Sequence, residues 1–361
     1  MILTSRQLRV TPQELRKAQR KVSPAFEKAL AQCAKQIRHF AEVEKKRSLK
    51  SWVESRGSVR VGQLVRPVDS AGLYIPGGRF PYPSTVLMTA IPARVAGVQR
   101  LVMVSPPRNL TPEVLTAAAY VGVDEIYRVG GAGAIAALAQ GTKTIRAVQM
   151  IVGPGNQFVA EAKRQLYGVV GIDSLAGPSE VVIIADRTAS LESIQNDLLA
   201  QAEHDPEAKA VLFSTDQRLL AAVQKGLDPK IRRRVQVRKV RSMDEAIACA
   251  NAIAPEHFEL LVANAERYIP KIRHAGAIFL GPGTPAAMGD YVAGPSHVLP
   301  THGTAHFSSG LSVATFLKRS SVIGYSARSS ERAHWEAALT FAETEGMEYH
   351  ARSLRSRMMK R

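Results

Sequence analysis

The sequence predicts an α/β protein with two parallel-sheet domains followed by a helical C-terminal segment. Two observations carry the sheets: short β-branched runs alternate with helical periodicity over 100–166, and they do so again over 181–280. A third closes them, since the Gly/Pro-rich run 281–303 ends the second series and helical periodicity returns after it. Strand, helix and parallel strand in repetition is the pattern of a sheet whose crossovers are helices.

The N-terminal stretch 11–46 places Leu15, Ala18, Val22, Phe26, Ala29, Leu30, Cys33, Ile37 and Phe40 at helical spacing and predicts helices. A polar, strand-like passage at 58–65 leads to Pro67. The first series then reads strand 100–105, a helix opened by Thr111-Pro112-Glu113, strand 125–129, helix 132–139, strand 148–152 and a helix after Asn156. The second begins with strand Val181-Val182-Ile183-Ile184 and a helix ending near His204. Strand Val211-Leu212-Phe213, helix 216–225 and strand 235–240 follow, and Ser242-Met243-Asp244-Glu245 fits a capping box. Strands 258–262 and 277–280 complete the series, and there are no further repeats or low-complexity tracts.

With 361 residues, 45% of them apolar and 22% charged, the chain has the composition of a globular protein with room for two cores. Cys33 and Cys249 lie far apart without CxxC spacing, which predicts a reducing compartment and no cysteine zinc site. No run approaches the roughly 20 apolar residues of a membrane span, and the first residues lack a signal-peptide core, so a soluble cytoplasmic protein is expected. The formal net charge of +17 raises nucleic-acid binding as a reading from another class. Its Lys and Arg residues are dispersed, and Arg232-Arg233-Arg234, the densest run, has neither RNP aromatics nor a zinc finger beside it. A solvated basic face is the simpler reading, and it also favours anionic cofactors.

Four clusters carry chemistry. Gln201-Ala202-Glu203-His204 puts a neutral oxygen donor and an imidazole three residues apart on one helix face, able to meet one cation. Glu256-His257 after Pro255, Asp290 with His297, and Glu345 with His350 supply further acid, base and metal-capable groups. Zn²⁺ accepts such nitrogen and oxygen ligands without any thiolate. An imidazole suits proton removal from an alcohol, and a carboxylate suits activation of water. Gly153-Pro154-Gly155-Asn156 lies between a strand and a helix, where it is either a tight turn or a phosphate or ribose contact. Gly131-Ala132-Gly133-Ala134-Ile135-Ala136 matches G-x-G-x-x-A, yet no Asp or Glu stands about 20 residues on to hold a ribose. His39, His274 and His334 read as structural or surface residues.

Residues 201–206, 254–257, 289–291, 296–303 and 345–350, with GLYIPGG at 72–78, GPGN at 153–156 and AGPSE at 176–180, resemble the histidinol dehydrogenase family in order and over nearly the whole chain. The resemblance implies two Rossmann-like domains, incomplete and lacking a standard dinucleotide fingerprint: 1–73 with 180–312 for metal and catalysis, 74–179 for the NAD side, and a helical segment 313–361. It implies oxidation of L-histidinol through L-histidinaldehyde to L-histidine with two NAD⁺. His257 would be the general base and Glu256 the activator of water. Zn²⁺ would be held by Gln201, His204, Asp290 and His350, which also face the substrate with Ser179, His297 and Glu345. Tyr74 and Asn156 would meet the cofactor. A homodimer is implied, the C-terminal segment reaching the partner's site. Three departures stand out: Gly133 replaces a cofactor-contacting Gln, His306 replaces an Arg, and Leu8-Arg9-Val10 already aligns inside the first α/β domain, several tens of residues after the family's usual start. A dehydrogenase of another amino or sulfonated alcohol is the rival within the enzyme class.

Overall fold

The computed structural model describes residues 8–77, 80–204, 207–229, 232–325 and 332–358, without the side chain of His204. Contacts divide the chain into one unit of 1–44 and 68–316 and another of 45–67 and 317–361.

The chain opens with α1 (Pro12–Gln19) and α2 (Pro24–Ser48). Thr11 and Glu14 form a reciprocal capping box at the start of α1. Helix α2 buries Leu30, Ala34, Ile37 and Ala41 on one stripe, as its periodicity predicts. Strands β1 (Trp52–Arg56) and β2 (Val59–Pro67) follow and belong to the smaller unit.

The first parallel sheet comprises β3 (Ser70–Tyr74), β4 (Arg100–Val104), β5 (Glu125–Tyr127), β6 (Met150–Val152) and β7 (Gly171–Ile172) in the order β5-β4-β3-β6-β7. Its crossovers are α3 (Pro83–Ala96), α4 (Pro112–Tyr120), α5 (Gly131–Gln140) and α6 (Gln157–Leu166). Sequence periodicity missed β3 and α3 for the same reason. All of β3 is buried, and α3 buries nearly every residue from Thr85 to Ala96, so neither shows the polar alternation that marks a half-exposed element. The chain turns one way from β3 through β4 to β5 and the other way to β6 and β7, which opens a crevice at the carboxyl ends of β3 and β6.

The second parallel sheet repeats this order as β10-β9-β8-β11-β12, from β8 (Glu180–Ala185), β9 (Lys209–Ser214), β10 (Val235–Lys239), β11 (His257–Leu261) and β12 (Ala277–Leu280). Helices α7 (Leu191–His204), α8 (Gln217–Gly226) and α9 (Met243–Ile253) connect them, and α10 (Ala286–Tyr291) follows β12. Apolar clusters cover both faces: Ile183, Ile194, Leu198 and Leu212 on one, Val182, Phe213, Ile247 and Phe258 on the other. The expected capping box at α9 is half made. Ser242 accepts from the Glu245 amide, but the Glu245 carboxylate turns to the backbone and guanidinium of Arg241.

In the smaller unit β2 pairs antiparallel with β1 and with β13 (Leu317–Tyr325), and α11 (Arg332–Thr344) and α12 (Glu348–Met358) follow. The C-terminal segment is therefore not helical throughout as expected, since its first part is a strand in register with β2 from Leu317↔Pro67 to Tyr325↔Val59. Its partner lies more than two hundred residues earlier, and a mostly exposed strand leaves no hydrophobic period.

The boundaries expected for the domains also differ from the pairing observed. The cut at 73/74 falls inside β3, which pairs with β4 and β6 in the first sheet. Residues 8–10 join that sheet as well, through Arg128 N–H to Leu8 O and Val10 N–H to Ile126 O, both 2.8 Å. Helix α2 instead reaches 294–313, where Glu44 accepts from the Val313 amide at 3.0 Å. No helix among the described residues is long and apolar enough to cross a membrane.

Candidate active site

Two glycine-bearing turns and Tyr74 gather at the carboxyl edge of the first sheet. Gly153 has φ 111°, and a Cβ there would lie 2.2 Å from the Tyr74 carbonyl oxygen, so no other residue fits where β6 leaves the sheet. Asn156 caps α6, its Oδ1 accepting from the Val159 amide at 3.2 Å. The Tyr74 hydroxyl accepts from the Gly131 amide at 3.0 Å, and burial raises its pKa. The first amide of α5 is thus taken by a buried phenol. Gly133, in the first turn of that helix, faces open space, with no atom within 4 Å of a Cβ placed there.

The acid and base candidates gather at the amino edge of the second sheet. Ala254 ends α9 in the left-handed conformation at φ 50°, which turns the chain sharply so that Glu256 and His257 enter β11 side by side. Both are buried. Glu256 Oε2 accepts from the Glu180 amide at 3.1 Å, and the Ser179 side chain donates to the same carboxyl group. Burial pushes the Glu256 pKa up to about 8, with the negative charges of Asp290 and Glu180 adding to the shift. The His257 ring stands between two carboxylates, Nδ1 at 3.8 Å from Glu256 Oε2 and Nε2 at 3.8 Å from Asp290 Oδ1. Its ring also lies against Phe279, the centroids 5.8 Å apart.

His297, expected as a substrate contact, has protein groups at both ring nitrogens. Its Nδ1 lies 2.9 Å from the Asp290 carbonyl, which can only accept, so Nδ1 carries the proton. Nε2 is hydrogen-bonded to Thr85 Oγ1 at 3.1 Å. The ring thus ties the backbone of Asp290 to the start of α3, and through it the carboxyl edge of one sheet meets the amino edge of the other. Thr85 lay in the helix that periodicity missed, so sequence reasoning had no route to it.

Sequence reasoning also missed the acids beneath this edge. Glu259, fully buried two residues along β11 from His257 and therefore on the same face, accepts from the Ala286 amide at 2.8 Å. Burial drives its pKa to about 8, and Asp197 on α7 is driven to about 6 by the same cause. The signals were present as spacing: 257 and 259 at strand period, Asp197 and Gln201 four apart on a helix. Gln201 is buried, and its Nε2 has no hydrogen-bond partner among the described residues.

Of the four expected metal ligands, Gln201 and Asp290 occupy this region, the His204 side chain lies outside the described residues, and His350 is on α12 in the smaller unit, exposed as is Glu345. Among the described residues no three His, Cys, Asp or Glu side chains cluster as a metal site. Of the remaining histidines, His302 lies close to Glu180 and to Gly177, and His306 packs on His274 with centroids 4.4 Å apart.

A histidinol dehydrogenase family profile matches residues 2–358. Histidinol dehydrogenase 2 of Trichormus variabilis is 50% identical over 374 aligned positions, covering 99% of this chain and 86% of that protein. Histidinol dehydrogenase of Bacillus cereus is 44% identical, covering 97% and 84%. A crystal structure of histidinol dehydrogenase from Elizabethkingia anophelis superposes with a TM-score of 0.91 at 34% identity, covering 97% of this chain and 84% of that one. With its two parallel sheets, its buried glutamate and histidine, and these relatives over nearly its full length, the chain belongs to the histidinol dehydrogenase family of oxidoreductases.

Proposed function

We propose that this enzyme oxidises L-histidinol to L-histidine through L-histidinaldehyde, with two NAD⁺ and a zinc-dependent site. The observation that carries the reading is the buried Glu256-His257 pair facing Asp290 at the amino edge of the second sheet. A base and an acid of raised pKa side by side suit two successive steps that make different demands on a proton acceptor.

His257 takes the hydroxyl proton as the carbinol carbon gives up its hydride. Glu256 deprotonates the water that adds to the aldehyde, and only its ionised form can do so. With a pKa of about 8, that form grows as pH rises towards 8. Glu180 N–H and Ser179 hold the carboxyl group in place. When bound, Zn²⁺ would anchor the substrate's imidazole and amine, and NAD⁺ would accept the electron pair.

The residues present fit zinc by their chemistry. Gln201 is buried among the described residues, and its side-chain oxygen is the atom able to meet a cation. By the family pattern Gln201, His204, Asp290 and His350 would hold the ion, and Glu345 would join them at the substrate. By the same pattern a homodimer would let Glu345 and His350, both exposed on the smaller unit, serve the partner's site.

NADH formation from L-histidinol tests the reading, with two NADH and one histidine expected per substrate consumed and about one zinc per chain. Turnover of another amino or sulfonated alcohol in preference to histidinol would assign the chain to a different substrate. If sites are shared, mixing inactive His350→Ala with inactive His257→Ala protomers restores activity, to at most about a quarter of wild type for random two-fold dimers. No recovery after proven subunit exchange would place the C-terminal segment at its own site.

A further inference from the structure

We infer that the buried Lys163–Asp173 ion pair is a positioning device for the dinucleotide, which locks the 153–156 turn at the crevice between β3 and β6. The inference rests on the reading that this turn meets the cofactor.

The geometry is specific to one peptide. Lys163 on α6 and Asp173 just after β7 are 2% and 3% exposed in their side chains and lie 2.6 Å apart. Lys163 Nζ donates to the Gly153 carbonyl at 2.6 Å, and Asp173 Oδ2 accepts from the Gly153 amide at 2.7 Å. Asp173 Oδ1, which takes the lysine, also accepts from the Ser174 amide at 2.7 Å. One ion pair therefore holds both polar groups of Gly153, the residue at which the chain leaves β6 and enters the turn at φ 111°. Asn156, three residues on, begins α6, the same helix that carries Lys163, so the turn is anchored at both ends to one element.

Stability alone gives no reason for such a pair. Two fully buried charges cost several kcal/mol each in desolvation, and apolar residues of the same volume usually serve folding as well or better. Nor does the lysine supply a free positive charge to a phosphate, because its ammonium is spent on Asp173 and Gly153. What remains is precision. Gly153 and Gly155, two glycines in four residues, leave the turn free to move on either side of Pro154, and a supporting layer of charge-assisted hydrogen bonds fixes the amides that a ligand would read.

The test uses the purified enzyme with Lys163→Met, Lys163→Gln and Lys163→Met/Asp173→Asn. The double variant removes both charges, so it folds even if a lone buried carboxylate unfolds the single variants. The readouts are NADH binding by fluorescence titration, KM for NAD⁺ and for histidinol, kcat, and the melting midpoint. The expected result is an NADH Kd and NAD⁺ KM raised on the order of tenfold, the loss of about one charge-assisted hydrogen bond, with histidinol KM and kcat within about twofold. Unchanged NADH affinity in a folded variant, or an equal rise in the KM for histidinol, would overturn the inference and leave the pair a structural feature.

Asn156→Asp separates this failure from that of the underlying reading, because it keeps the capping oxygen of α6 while adding a charge that repels a dinucleotide. Weakened NADH binding in Asn156→Asp but not in the Lys163 variants removes the positioning role and keeps the cofactor turn. Unchanged binding in all of them removes both.

Discussion

The two five-stranded sheets of the larger unit have the same strand order, yet their chemistry collects at opposite ends. In the first, Tyr74, Gly131, Gly153 and Asn156 lie at the carboxyl edge, where α5 and α6 begin. In the second, Ser179, Glu180, Glu256 and His257 lie at the amino edge, where α7 ends in Gln201 and His204. A parallel sheet with helical crossovers has helix N-termini at one edge and helix C-termini at the other. Unsatisfied N–H groups make the first edge attractive to anions, and unsatisfied carbonyls make the second attractive to cations. On the proposed function, a dinucleotide phosphate and a metal ion with a cationic amine would suit opposite edges. One topology used twice, joined edge to edge through Thr85 and His297, offers both kinds of edge.

The sharpest way to break this division is to remove the base at the amino edge. His257→Ala should lower oxidation of both histidinol and histidinaldehyde by about 10²- to 10⁴-fold while leaving NADH affinity, a property of the other edge, unchanged. Glu256→Gln should lower chiefly the aldehyde step. The rate of that step in the wild type should climb as pH rises towards about 8 and level off above, following ionisation of the buried carboxyl group, and the climb should vanish in Glu256→Gln. Aldehyde oxidation in Glu256→Gln at the wild-type rate would remove this residue from its role.

A smaller effect should show what the acids beneath that edge cost. Glu259 has its pKa raised to about 8 by burial, so from its unfolded value near 4.5 up to about 8 the native state holds a proton that the unfolded chain releases. Stability from this group is complete below the unfolded pKa and is lost as pH rises through 8. In chelator-treated protein the melting midpoint should therefore fall between pH 5 and pH 8.5. Glu259→Gln keeps an oxygen for the Ala286 amide and cannot ionise, so its midpoint should fall less steeply and exceed that of the wild type by several degrees at the upper end. Parallel curves for the two proteins would show that Glu259 does not carry the proton.

Legibility in the sequence followed exposure. The half-exposed helices α2 and α6 and the β-branched strands of the second sheet announce themselves by period, and Glu256 and His257 by a motif with a mechanism. The central strand β3 and helix α3 do not, because burial on every side erases the contrast that periodicity measures, and Thr85 went with them. β13 was missed for the opposite reason: a polar, exposed strand owes its conformation to a partner far away in the chain. The roles of Glu259, Lys163 and Asp173 lie in hydrogen bonds to single backbone groups, which leave no pattern in the order of residues.

The smallest expected effect tests the carboxyl edge of the first sheet. By the resemblance Gly133 replaces a cofactor-contacting glutamine, and no atom lies within 4 Å of where its side chain would begin. Nothing in the fold requires glycine there, since its φ lies outside the left-handed range, unlike that of Gly131 at 69°. Gly133→Gln should therefore fit without repacking, and replacing glycine inside a helix should add up to about 1 kcal/mol of stability through helix propensity. If α5 borders the dinucleotide site, the same change should lower the KM for NAD⁺ by roughly threefold, about half the worth of one hydrogen bond, and leave that for histidinol unchanged. A higher melting midpoint with no change in NAD⁺ or NADH affinity would mean that this helix faces solvent in the complex. The anion-attracting edge would then be confined to the 153–156 turn.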